Sequence, residues 1–439
     1  MKNKITLDTL TTSVFDAIES GGGKVYIVGG TVRNLYINEQ VDYHDIDVEV
    51  YHLSLVELQK ILSQFGTVNE VGKSFGILKV SCLPTIDFAL PRQEVNIGNK
   101  HTDFEVIVDQ DMDMKIASSR RDITMNAMLY EYQTGRILDF YHGKEDIDQG
   151  IIRMVNKESF KEDPLRVLRI ARFVAKYQFD VEKETKLFCK EMVERKLLDS
   201  LSSERIYEEY CKILMSSRPS HGFEFLNDMQ ALPKYLEDLK NTMQRLDYHP
   251  EGNVWNHTML VVDLGALVKQ KTSDPLSFMW SCLLHDIGKP ETTTEKGSAP
   301  KHQLIGADVF RENCTTLIRS KTMQKYIITM IKYHMELMNM ARNKARDRVY
   351  YRVLHKIDGI FPLEDLLLLT KCDKLGRLKD GSEDIKLLES YIQDKVEKLG
   401  KEALIPCIDG EVLISLVYQP TTQFSKILYD EYKMQKNGK

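Results

Sequence analysis

The sequence predicts an α+β chain, with a small mixed β-sheet head at the N-terminus and an all-α neck, body and tail behind it. Three observations predict this. Up to about residue 150, strand and helix signals alternate. From about residue 155 onward, apolar residues recur at the helical period near 3.6. Turn clusters at 216–220 and 290–300 separate those helical runs. The chain has 439 residues, which at about 100–200 per domain allows two to four domains.

Composition narrows the class. Apolar residues make up 42% and charged residues 28%, the balance of a soluble globular protein. A mainly disordered chain, a collagen-like fibre and a disulfide miniprotein are excluded. No run approaches the roughly 20 apolar residues of a membrane helix, so no membrane partner is expected. The opening MKNKITLDTL lacks the apolar core, about 7–15 residues long, of a secretory signal. The seven cysteines, Cys82, Cys189, Cys211, Cys282, Cys314, Cys372 and Cys407, are odd in number, scattered, and form no CxxC. That pattern fits buried thiols in a reducing cytoplasm. Net charge is −5, from 60 Lys/Arg and 65 Asp/Glu. A nucleic-acid binder of this balance must concentrate its positive charge locally.

Within the head, Lys24–Val28 is a β-rich run that stops at Gly29-Gly30. Asp45–Val50 alternates polar and apolar residues as a half-buried strand does. Thr85–Leu90 is a further short strand. Glu94–Asp103 places Asn, Gly and His between periodic segments and predicts a mobile loop.

A strand, Gly29-Gly30 and a helix (TVRNLYI) form an arrangement suited to phosphate. Glycines let the backbone approach a triphosphate, and Arg33 adds a fork of donors. The following strand sharpens this. Asp45, Asp47 and Glu49 share one face of it, with Ile46, Val48 and Val50 on the other. Acids lined up on a short strand repel one another unless a cation neutralises them. Two Mg²⁺ ions held by paired carboxylates, about 3.5–4 Å apart, would clamp the oxygens of a phosphoryl transfer. Asp87, in the next strand, is a third metal-facing acid, and Glu49 falls outside the metal shell. Farther on, Arg120-Arg121-Asp122 precedes ITMNAMLY. Adjacent arginines suit a triphosphate and a nucleic-acid backbone, and Asp122 or Asn126 could bond a ribose hydroxyl.

The run KEDPLRVLRIARFVAKY opens a helix, with Asp163 as acceptor at its start and Pro164 in the first turn. Arg166, Arg169, Arg172 and Lys176 fall on one arc, opposite Val167, Leu168, Ile170, Ala171 and Val174. Residues 151–176 contain seven Lys/Arg against three Asp/Glu, which supplies the local basic surface the net charge requires. Asp163 and Arg166 lie one turn apart and can face one base. A carboxylate accepts from the amino group of cytosine or adenine and meets a carbonyl on guanine or uracil. Each such contact discriminates by about 1–3 kcal/mol.

Taken in this order, GGTVR, DID, RRDITMNAM and EDPLRVLRIARFVA closely resemble the class II tRNA nucleotidyltransferase and bacterial poly(A) polymerase family. The resemblance covers about residues 24–177, and SSERIYEEYCKIL extends it to about residue 215. It implies a nucleotidyltransferase head and a helical neck. Gly30 and Arg33 would contact the triphosphate, Asp45 and Asp47 would bind Mg²⁺, and Arg121 with Asp122 would touch nucleotide. Asp163 and Arg166 would read the base, with Arg169 and Arg172 supporting nucleotide and acceptor end. One departure is Asn34, where the family usually has Asp, which alters the charge beside Arg33.

A second constellation lies in the C-terminal half: His257, His285-Asp286 (LLHDIGK), His302, His334 and Asp373. Apolar helical sequence surrounds several of them. Imidazoles and carboxylates in this order suit a divalent Mn, Ni, Fe or Zn site that activates water toward a phosphoester. His302 and His334 matter chiefly for a second ion. This part resembles an HD-domain phosphohydrolase over about residues 245–380. With Tyr248-His249-Pro250-Glu251 and Ala89–Arg92, the combination resembles the multifunctional CCA proteins. Their HD unit implies 2′,3′-cyclic phosphodiesterase, 2′-nucleotidase and phosphatase activity.

The expectation is therefore a head at 1–150, a neck at 151–240, an HD domain at 241–380 and a helical tail at 381–439. The function expected is addition of C, C and A to tRNA 3′ ends from CTP and ATP, with a second phosphohydrolase activity. Rival readings are CC-only or A-only addition, poly(A) addition, a nucleotide-signalling synthetase/hydrolase and a catalytically silent RNA-binding protein. The HD half argues against poly(A) addition, the RRD and EDPLR segments against signalling, and the intact acids against silence. The sequence names no protein partner.

Overall fold

The computed structural model describes residues 5–39, 46–71, 76–96 and 104–402, with 426–428, 430 and 434. Two compact units divide the chain, Met1–Leu201 and Ser202–Lys439, so the 151–240 segment is shared between them. Asp45 lies outside the described residues.

Among the described residues, nine strands build the head: β1 (Lys24–Val28), β2 (Ile46–Tyr51), β3 (Val68–Val71), β4 (Ile77–Val80), β5 (Leu83–Ala89), β6 (Arg92–Asn96), β7 (Phe104–Val108), β8 (Leu129–Glu131) and β9 (Ile137–Leu138). Seven form one mixed sheet in the order β3-β4-β5-β2-β1-β8-β9. Only β2 and β5 run parallel in it; the other neighbours are antiparallel. Register decides which side chains share a face. Val25 sits opposite Val50, Ile27 opposite Val48, and Val48 beside Phe88. These residues are buried, and the Thr9–Ser20 helix covers them, its Phe15 meeting Phe88 edge to face at 6.1 Å. Alternation puts Asp47, Glu49 and Asp87 on the opposite face. There Tyr26, Val28, Tyr51 and Leu129 form a smaller apolar cluster.

The predicted strands at 24–28, 45–50 and 85–90 match β1, β2 and β5 to within two residues. The predicted loop at 94–103 is corrected. Glu94–Asn96 belong to β6, which pairs antiparallel with β7, and residues 97–103 lie outside the described residues. Side-chain alternation there is masked by polar residues, while the strand pairs by its backbone, which carries no sequence signature.

Among the described residues, the named elements of the second unit are all helices. Its centre is the Pro275–Leu284 helix, started by the Asp274 side chain, which accepts from Ser277 N, and by Pro275 in the first turn. Residues Ser277–Leu284 are all buried, so this helix is apolar all round, as a helix enclosed by others must be. The Val254–Val268, Lys321–Tyr333 and Leu363–Leu375 helices pack on it. The Ser382–Leu399 helix follows as the tail begins. Among the described residues, no helix is long and apolar enough to cross a membrane.

Candidate active site and metal centre

In the head, Gly29 ends β1 with φ at 74°, in the left-handed region that glycine adopts at little cost. A Cβ here would lie 3.3 Å from Asp47 Oδ2 and 3.4 Å from Arg121 Nη1. The glycine turn, the exposed Asp47 and the Arg121 guanidinium therefore meet at one point. Asp47 is the register partner of Asp87 across the parallel β2–β5 pair, so both carboxylates leave the same face. Lys79 Nζ lies 2.6 Å from Asp87. Two carboxylates on neighbouring strands beside an open glycine turn are the hard oxygen donors Mg²⁺ takes, so the residues present fit that ion.

Glu49, two residues on, is buried. Its Oε1 receives Arg120 at 2.8 Å and Arg121 at 3.0 Å. Burial would raise this carboxyl, but the two arginines outweigh it and hold it below the usual range. Glu49 thus aims the Arg120-Arg121 pair.

Behind this face runs a buried polar chain. Arg33 Nη1 donates to Asn126 Oδ1 at 2.5 Å. Asn126 Nδ2 donates to Asp122 Oδ1 at 2.9 Å. Arg169 Nε donates to Asp122 Oδ2 at 2.7 Å. Asn34 Oδ1 accepts from Arg33 Nε at 3.2 Å and Nη2 at 2.9 Å, so the substituted residue keeps an acceptor for the guanidinium. Arg33, Arg169 and Arg172 all lie within 6 Å of the Phe173 ring, at 5.4, 5.9 and 4.6 Å from its centroid. The ring face lets three cations gather.

The Leu165–Tyr177 helix starts one residue later than Asp163-Pro164 predicts, with Pro164 as its cap residue and Leu165 N donating to Asp163 Oδ1 at 3.0 Å. Arg166 donates to two carbonyls, Ser159 O at 2.5 Å and Arg120 O at 2.6 Å, which fixes the plane of its fork. Lys176 is exposed and pairs with Glu39 at 2.9 Å.

The second unit brings His257, His285, Asp286, His302, His334 and Asp373 together, all of them buried. Three imidazoles direct Nδ1 at the carbonyl three residues back: His285 at Cys282 (2.9 Å), His302 at Ala299 (2.8 Å) and His334 at Ile331 (2.8 Å). An N–H at Nδ1 leaves a lone pair on Nε2. Those Nε2 atoms converge on Asp286. His285 lies 3.2 Å from Oδ2, while His302 and His334 lie 3.1 and 3.7 Å from Oδ1. His257 Nε2 faces Asp373 Oδ1 at 3.1 Å and Asp286 Oδ2 at 3.8 Å.

The approaches of His285, His302 and His334 to Asp286 lack hydrogen-bond angles, whereas His257 Nε2 is within hydrogen-bond geometry of Asp373 Oδ1. His285 Nε2 and both Asp286 oxygens make no hydrogen bond of good geometry, although Lys289 Nζ pairs with Asp286 Oδ2 at 2.6 Å. His302 and His334 even bring Nε2 to Nε2 at 3.4 Å. Burial pushes His334 down to about 3, which keeps it neutral. Two ligand groups result, His257/His285/Asp373 and Asp286/His302/His334, with the Asp286 carboxylate between them. Buried carboxylates and imidazoles gathered this way fit a divalent transition-type ion.

Three participants were not legible as site residues. Lys289, three residues after Asp286, reaches Asp286 Oδ2 at 2.6 Å and Gln244 Oε1 at 2.8 Å. Its position in LLHDIGK was the available signal. Gln244 had none. Glu251 pairs with His249 and His257 through one oxygen.

Family comparison agrees with this layout. The model for the poly A polymerase head domain matches residues 25–153, that for the probable RNA and SrmB-binding site of polymerase A matches 178–243, and the HD domain matches 254–375. The multifunctional CCA protein of Aromatoleum aromaticum is 31% identical over 358 residues, covering 81% of each chain. The chain belongs to the multifunctional CCA protein family. Another member of that family, from Vibrio campbellii, is 31% identical over 373 residues, covering 82% of this chain and 87% of that one. The fold is also that of solved CCA-adding enzymes. A complex with ATP gives a TM-score of 0.63 at 20% identity, over 97% of this chain and 89% of the other. The Thermotoga maritima enzyme complexed with tRNA gives 0.61 at 20%, over 96% and 90%.

Proposed function

We propose that this chain adds C, C and A to tRNA 3′ ends from CTP and ATP without a nucleic-acid template. The observation that carries the proposal is the meeting of Gly29, Asp47, Asp87 and Arg121 on one face of the sheet. Asp45, Asp47 and Asp87 would hold Mg²⁺, with Asp45 assigned from sequence. Bound there, Mg²⁺ supplies Lewis acidity to the triphosphate and to the primer's 3′-hydroxyl. The chain's own residues do the rest. Gly29-Gly30 let the triphosphate come close, and Arg121, aimed by Glu49, faces it. Arg33 and Asn126 brace Asp122, which holds Arg169 toward the nucleotide. Asp163 and the oriented Arg166 accept and donate to C or A. Arg120, Arg172 and Lys176 add positive charge for the acceptor end.

The second unit is proposed to hydrolyse 2′,3′-cyclic or 2′-phosphates. His257, His285, Asp286 and Asp373 would hold a Mn, Ni, Fe or Zn ion, and His302 with His334 a second one. Such an ion supplies Lewis acidity toward the phosphoester and an attacking water. Asp286 and Lys289 keep the charge of the pocket balanced.

The test uses tRNA transcripts ending at the discriminator base, at C and at CC, with CTP, ATP or both. Growth by three nucleotides that then stops is expected. Asp47→Ala is expected to lower incorporation by about 10²-fold or more, with little change in stability because the side chain is exposed. Growth by CC or by A alone would assign a split activity, and long A tails would assign poly(A) addition. No incorporation on any primer would overturn the reading.

A further inference from the structure

Glu251 precedes His257 by six residues, in the segment Tyr248–Gly252. Its side chain is buried. One oxygen, Oε1, lies 2.8 Å from His249 Nδ1 and 3.1 Å from His257 Nδ1. The other, Oε2, accepts from Leu378 N at 3.4 Å, just past the helix that carries Asp373. Glu251 therefore ties the approach to His257 to the end of a second ligand-bearing helix.

This sets His257 apart from its neighbours. At Nδ1, His285, His302 and His334 each face a backbone carbonyl. His257 Nδ1 faces both a carbonyl, Gly376 O at 3.0 Å, and the Glu251 carboxylate. Two acceptors on one ring nitrogen require that nitrogen to carry the proton. In the neutral ring that a metal requires, the lone pair is then on Nε2, which lies 3.1 Å from Asp373 Oδ1 and 3.8 Å from Asp286 Oδ2. A carboxylate behind a ligating imidazole also makes it a stronger donor, and losing such a partner typically costs about 10–100-fold in metal affinity.

We infer that Glu251 is a positioning residue of the metal centre, which holds His257 in the Nδ1–H tautomer with Nε2 turned toward the ligand cluster. The inference rests on the metal-centre reading above. The competing arrangement is a separate ion held by His249, Glu251 and His257, whose donor atoms lie within 4.8 Å of one another. It is disfavoured because an ion at His257 Nδ1 would displace the proton that the Gly376 carbonyl accepts at 3.0 Å.

The probe is Co²⁺ alone, titrated into the full-length chain. Its visible absorption is strong when imidazoles bind it in a low-symmetry site and weak on carboxylates, which separates this centre from the head. Bound ions are also counted after gel filtration. Glu251→Ala is expected to raise the Co²⁺ Kd by about 10–100-fold without changing the ion count. Glu251→Gln keeps an acceptor oxygen without the charge and is expected to fall in between. His249→Ala leaves the Glu251–His257 contact and is expected to stay near wild type. Circular dichroism of each ion-free variant checks folding, and if Glu251→Ala fails to fold, the near-isosteric Gln variant decides. Wild-type affinity in both Glu251 variants would overturn the inference alone. Loss of one whole ion in Glu251→Ala and His249→Ala alike would overturn it in favour of the separate site. No absorption in the wild-type chain would instead bring down the metal-centre reading.

Discussion

Asp122 is where two opposing energies meet. Burial raises its carboxyl, but the charge of Arg169, 2.6 Å away, outweighs burial together with the Asn126 bond and Arg166. The carboxyl is held well below the ordinary value of about 3.9. A depressed folded-state pKa stabilises above the unfolded value and loses that contribution as pH falls through the folded one. The head should therefore weaken on acidification below about pH 4. Asp122→Asn removes the charge that the partly exposed Arg169 pairs with and is expected to cost about 1–3 kcal/mol at pH 7, with a flatter response below pH 4. Urea midpoints at pH 7, 4 and 3 check this, and parallel curves would refute it. From the sequence, Asp122 was a nucleotide contact. The type and place were legible in Arg120-Arg121-Asp122, but its bond to Arg169, 47 residues on, was not, because nothing local signals a buried pair.

Among elements, the short segment after the Pro275–Leu284 helix and His285 is the tightest. At Gly288 a Cβ would lie 2.1 Å from His302 O and 2.3 Å from Gly306 N. That absence of a side chain lets the His302–Asn313 helix come close enough for His302 to reach Asp286. Gly288→Ala must push backbone from backbone, and about 3 kcal/mol or more is expected, the upper range for overpacking. Chemical denaturation and Co²⁺ uptake should both report the loss, and an unaltered midpoint would count against the close approach. Elements with strong local codes read directly from sequence: the alternation of β2, the Asp-Pro start of the Leu165–Tyr177 helix, the all-apolar helix before His285. Weak ones did not. The short β3, β4, β8 and β9 carry too few residues for a period to stand out, and the polar Glu94 and Asn96 hide the end of β6.

At the scale of the molecule, each compact unit contains its own constellation, an acidic face in Met1–Leu201 and a histidine cluster in Ser202–Lys439. An ion that binds only the folded cluster stabilises its unit by about 2.7 kcal/mol at a hundred times its Kd. Chelation should thus lower one calorimetric transition of the full-length chain, and metal add-back should restore it. In His285→Ala that transition should not respond. Equal melting of wild type with and without chelator would argue that no ion is held.

What could be read along the chain is what neighbours in sequence encode: strand alternation, helix starts, the order of motifs and the residue types able to hold phosphate or metal. These suffice for the fold class and for most members of both sites. What needed the folded molecule is convergence. His257 and Asp373 lie 116 residues apart and meet at 3.1 Å. Glu49 turned from a strand-face acid into the anchor of two arginines, and Glu251 and Lys289 entered the centre unannounced. Local patterns follow from short-range sterics and hydrogen bonding. Which distant side chains share a buried, low-dielectric pocket follows from how helices and strands pack, and that is decided only when the apolar faces close on one another.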